Sequence, residues 1–108
     1  MALILTHKVN QGVHVEGRGL SLDLIVRDIR GDYSQCEADI EVRSSTGSRF
    51  LQISADGSQI FPLEEFGIEL IGKHRRHSVK IAYTADWDYQ IRRKDYGYQT
   101  KALSDKFP

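Results

Sequence analysis

From residue 20 the chain reads Leu-Ser-Leu-Asp-Leu-Ile-Val, which sets Leu20, Leu22, Leu24 and Val26 on every second position. Side chains alternate across a strand, so these four share one face. The same period of two returns in "LILTHK" (3–8), "ADIEV" (38–42), "RFLQIS" (49–54), "FGIELIG" (66–72), "VKIAY" (79–83) and "YQIRR" (89–93). A chain patterned this way buries its apolar residues on sheets covered on one face, and the fold class expected is mostly β and antiparallel.

Turn-prone residues separate the runs. Gly12, Gly17 and Gly19 are expected at turns or bulges, making the opening third a hairpin meander, and Gly17-Arg18-Gly19 reads as a turn. Ser44-Ser45-Thr46-Gly47 and Asp56-Gly57 have hairpin-turn composition, so residues 49–61 are expected to form a hairpin of their own. Pro62 cannot donate to a ladder and predicts an edge or a strand end. A helical period appears only in the tail, where Tyr96, Thr100 and Leu103 predict a short C-terminal helix. Gly97 weakens that helix by about 1 kcal/mol relative to alanine.

With 108 residues, 40% of them apolar and 28% charged, the chain is long enough for one domain with one core and too apolar to stay disordered. The apolar start Ala2-Leu3-Ile4-Leu5 is too short for a signal-peptide core or a membrane span. Cys36 is the single cysteine, so no intrachain disulfide can form and the cytoplasm is the expected compartment. Net charge is zero but unevenly spread. Residues 1–31 carry +1, residues 32–71 carry −6 and residues 72–108 carry +5. A polyanion would meet the final third, while the acidic middle would face elsewhere.

No Ser, His and acid grouping has recognisable local form and no P-loop or dinucleotide fingerprint is present, so no enzymatic activity and no cofactor are expected. His74 and His77, with Asp86 and Asp88 nearby, suggest a metal site only weakly, because "KHRRH" surrounds the histidines with cations. Binding has more support. Lys8, Lys73, Arg75, Arg76, Lys80, Arg92, Arg93 and Lys94 could neutralise phosphates, and Tyr83, Trp87, Tyr89, Tyr96 and Tyr98 offer stacking faces. The opposing view places most of these aromatics in the core. On the last run Tyr89, Ile91 and Arg93 share one face, and Arg92 points to the other.

Taken together, the two ends resemble the carbon storage regulator family (CsrA, also called RsmA). "LILTHKV" (3–9) is similar to that family's first strand and "VKIAYTADWDYQIRRKDYGYQ" (79–99) to its third to fifth strands and helix start. "LSLDLIVRDIRG" (20–31) takes the place of the second strand, leaving 32–65 as an insertion within a single domain spanning 1–108. An alternative registration makes "FGIELIG" the second strand and moves the insertion earlier.

The resemblance implies an intertwined homodimer that exchanges end strands and binds GGA motifs in messenger leaders, or a small regulatory RNA, to control translation. It implies RNA contacts by Leu5, Thr6, His7 and Lys8 on the first strand and by Tyr89, Ile91, Arg92 and Arg93 on the last. Arg93 falls on the key arginine, Tyr89 and Ile91 fall on the apolar binding face, and Arg92 serves as support. His7 stands where the family has a second cation, which implies a weaker or pH-dependent phosphate contact. Ala85-Asp86 replaces the family's Ala-Pro. A rival reading, a protein-interaction or structural module, assigns the acidic insertion to a protein partner. The insertion is expected to project from the sheet or extend it, and excision of residues 34–64 with a short turn is expected to leave a folded dimer.

Overall fold

In the computed structural model, which describes residues 2–32, 35–55, 61–63, 66–86 and 88–96, the period-two runs become nine strands and no helix is formed among these residues. They are β1 (Ala2–Lys8), β2 (Gln11–Gly17), β3 (Leu20–Gly31), β4 (Cys36–Ser44), β5 (Gly47–Ser54), β6 (Phe61–Leu63), β7 (Phe66–Arg75), β8 (Ser78–Ala85) and β9 (Gln90–Asp95). Every pairing is antiparallel. A four-stranded sheet has the order β1-β8-β7-β6, and a five-stranded sheet has the order β5-β4-β3-β2-β9.

Alternation decides which residues lie between the sheets. Val13 and Val15 of β2, Leu22, Leu24 and Val26 of β3, and Cys36, Ala38, Ile40 and Val42 of β4 face Phe66, Ile68 and Leu70 of β7 and Val79, Ile81 and Tyr83 of β8 in one buried cluster. Fully burying a Val, Leu, Ile or Phe contributes roughly 1.5–3 kcal/mol, so this cluster is the main source of stability. Phe66 and Tyr83 pack with ring centroids 5.9 Å apart, and Phe66 and Tyr89 with centroids 6.5 Å apart. Burial lifts the Cys36 thiol above its usual pKa, so the lone cysteine is a core residue and a poor nucleophile.

The connections differ from the sequence expectation in three places. β2 and β3 form the expected hairpin around Arg18 (φ 50°) and Gly19 (φ 77°), but β1 belongs to the other sheet, so the opening third is not a meander. The chain crosses between sheets at Val9-Asn10, where Asn10 takes φ 71°. Period-two pattern fixes faces and leaves sheet membership open. Likewise, β5 and β6 on either side of Asp56-Gly57 do not pair. β5 lies on β4 and β6 on β7, in different sheets, so residues 49–61 form no hairpin of their own. The hairpin in this region is β4–β5, closed at Ser44↔Gly47. Finally, β4 and β5 extend the five-stranded sheet beyond β3, one of the two outcomes expected, but β4 also supplies four core residues, so this part of 32–65 is no dispensable appendage. The predicted C-terminal helix falls on residues 97–108, outside the described ones, apart from Tyr96, which follows β9 as a buried residue in no helix.

The end-strand exchange expected between two subunits is made inside one chain. β1 lies on β8 from Ala2↔Thr84 to Lys8↔Ser78, and β9 lies on β2 from Gln11↔Asp95 to Glu16↔Gln90. Among the described residues no helix is long and apolar enough to cross a membrane.

Candidate nucleic-acid interface

β1 and β9 are edge strands of different sheets, and the Val9-Asn10 crossover brings their ends together. The Lys8 backbone N–H donates to Gln11 Oε1 at 2.9 Å, Gln11 Nε2 reaches Asp95 Oδ2 at 3.4 Å, and the Tyr96 backbone N–H donates to the Asn10 carbonyl at 2.8 Å. Asn10 itself donates its N–H to Val26 O at 2.6 Å and accepts from Arg27 Nη1 on Oδ1 at 2.7 Å. Sequence reasoning does not single out Asn10 and Gln11, because their roles depend on β3 and β9.

The register places the predicted residues on distinct faces. Leu3, Leu5 and His7 lie opposite Tyr83, Ile81 and Val79 and so point between the sheets, whereas Thr6 and Lys8, opposite Lys80 and Ser78, point outward. On β9, Ile91 and Arg93 lie opposite Val15 and Val13 on the inner face, and Arg92 lies opposite His14 on the outer one. The sharing of a face by 89, 91 and 93 is therefore as the alternation required, but that face is the core side. Tyr89 is 5% exposed, and Leu5 and Ile91 pack against the core. As a ligand-facing apolar surface these residues must be corrected to interior supports. Among the eight predicted contacts, Lys8, Arg92 and Arg93 are exposed and Thr6 is half-buried.

His7 also requires correction. It is 0% exposed, with Nε2 2.8 Å from the Tyr83 hydroxyl and the two rings edge-to-face at 5.8 Å. Its Nδ1 has no partner among the described residues. Burial, and secondly the Arg93 guanidinium, push its pKa down to about 4, so the ring is a neutral core group and no phosphate contact. Arg93 thus sits at the rim of the sandwich, exposed, yet close enough for its charge to act on both His7 and Tyr83.

The registers gather further cations here. Lys8, Ser78 and Arg75 form one row across three strands, Thr6, Lys80 and Gly72 the next, and Arg76 and His77 form the exposed turn beside them. Across the crossover, Lys94 lies opposite Gly12, with its ammonium 5.1 Å from the Tyr96 ring centroid. The contrast with most of the other described cations is electrostatic, although Arg49 on β5 also makes no ion pair among the described residues and Lys73 donates to the Gly31 carbonyl. Arg18 pairs with Asp86 and Asp88, Arg27 and Arg43 with Glu41, and Arg30 with Asp28 and Asp39. Among the described residues Lys8, Arg75, Arg76, Lys80, Arg92, Arg93 and Lys94 make no ion pair; Arg92 donates only to Gln90 Oε1, at 3.0 Å.

Other sequence candidates lie elsewhere. Asp86 and Asp88 are engaged by Arg18, and no cluster of three His, Cys, Asp or Glu side chains fit for a metal occurs among the described residues. Trp87 and Tyr98 lie outside the described residues. Tyr96 covers the outer face of the five-stranded sheet, its hydroxyl 2.5 Å from Asp23 Oδ1, and Asp23 in turn holds His14 at 2.8 Å. Hydrogen bonds to Asp23 and then Glu16 raise the His14 pKa, and the two carboxylates offset the charge that the ring gains. A hollow of about 380 Å³, lined by Leu20, Val42, Ser44 and Arg49, sits at the opposite end of this sheet, away from these cations. Compared with protein-family models, curated proteins and solved structures, the chain matches none of them.

Proposed function

We propose that the protein is a non-enzymatic, cytoplasmic RNA-binding regulator of translation that recognises GGA-type motifs in messenger leaders or small RNAs through the β1/β9 edge. The observation that carries this reading is the set of cations at the edge that make no ion pair among the described residues, gathered from strands at both ends of the chain while the arginines of β3 and β4 are neutralised by carboxylates. Unpaired arginines and lysines along an edge suit a phosphate backbone, and an arginine at the rim suits a guanine edge, which it can grip with two hydrogen bonds. The alternative protein-binding role for the acidic middle is weakened by the engagement of Asp39 and Glu41 in ion pairs. Arg93→Ala should cost roughly 1–3 kcal/mol of affinity for a GGA hairpin over a scrambled control at fixed salt, and Arg92→Ala less. Equal losses for the two variants, or no GGA preference in the parent, would count against the reading.

A further inference from the structure

The two sheets are related by an exchange that the cations do not share. Replacing β1 by β5, β2 by β6, β3 by β7 and β4 by β8, and the reverse, turns the order β1-β8-β7-β6 into β5-β4-β3-β2, which is the five-stranded sheet without β9. The core obeys the same exchange. Val79, Ile81, Tyr83 and Ala85 of β8 are buried at alternate positions, as are Cys36, Ala38, Ile40 and Val42 of β4. Leu3, Leu5 and His7 lie opposite Tyr83, Ile81 and Val79. Correspondingly, Leu51 and Ile53 lie opposite Ile40 and Ala38, and the Ala55 N–H donates to the Cys36 carbonyl at 2.9 Å. One chain therefore holds two interlaced four-stranded halves, each receiving the first strand of the other.

Among the described strands the ninth has no twin. β9 borders β2, whereas β6, its counterpart, spans three residues and borders only β7 among the described strands. The cationic edge draws on both β1 and β9, so it too occurs once. At the related edge, Ser54 and Ala55 stand where β1 has Thr6 and His7, and the sequence continues with Asp56 where β1 ends in Lys8.

We infer that a single chain is the complete binding unit: a monomer with one RNA site, holding one RNA strand. This inference rests on the RNA reading above, while the fold supplies its stoichiometry. Strand exchange, which in separate subunits would require a second copy, is already completed internally, and only one edge combines Lys8 with Arg93.

Native mass spectrometry of the full chain with excess short GGA hairpin RNA tests this, alongside sedimentation of the free protein. The expected species is one chain with one RNA, from a free protein that sediments as a monomer, and an RNA carrying two hairpins should take up two chains. Arg93→Ala should lower occupancy of the single site at least severalfold while the free protein remains a monomer. Two RNAs on one chain, or a complex that always contains two chains, would overturn the inference and leave the RNA reading standing. No GGA hairpin bound at any protein concentration would overturn the RNA reading and the single site with it.

Discussion

His7 shows how one residue changes role when its surroundings are known. Between Thr6 and Lys8 it reads as a weaker or pH-dependent phosphate contact, but the inner face of β1 places it against Tyr83 with no exposure. Its native pKa of about 4 lies below the unfolded value of 6.5, so the unfolded chain takes up the proton first as pH falls. The stability from neutral His7 is full above pH 6.5 and is lost as the pH falls towards about 4, a change on the order of 3 kcal/mol. Urea unfolding above pH 6.5 and at about pH 4.5 should show this loss in the parent and a flatter profile in His7→Gln. The same slope in both proteins would mean that other groups govern acid stability.

Among the elements, β2 is held on both sides, by β3 and by β9. A Cβ on Gly12 would stand 1.8 Å from the Leu24 carbonyl oxygen and 2.9 Å from the Ile25 Cα, so Gly12→Ala must push β2 from β3. The expected cost is about 1–3 kcal/mol or more, typical of overpacking. Gly19→Ala meets nothing within 4 Å and strains only a turn at φ 77°, so it should cost less; comparable denaturation midpoints would contradict the ordering. The sequence identified most strands and their inner and outer faces, because alternation is local. It read Gly12 as a turn or bulge, since its close contact is with a residue twelve positions later. For the same reason Arg93 was legible as a strand-end arginine, whereas the roles of Asn10 and Gln11 in bringing the two edges together were not.

On the scale of the whole molecule, removing residues 34–64 with a short turn should abolish cooperative unfolding, against the expectation that this segment is dispensable. The deletion takes β4 and β5 from the five-stranded sheet, β6 from the other, and Cys36, Ala38, Ile40, Val42 and Ile53 from the core. Loss of a thermal transition and of dispersed amide resonances is the expected result, and a folded product would show that the remaining strands close a core without them. The pairing of β1 with β8 also governs timing. Ala2 meets Thr84 and Lys8 meets Ser78, so during translation the first strand leaves the ribosome long before its partner has been made. Closing a loop of that length is slow compared with forming the local β2–β3 and β4–β5 hairpins. β1 is thus seated later than the β2–β3 and β4–β5 hairpins that follow it in sequence, because its sheet cannot close before β8 has been made.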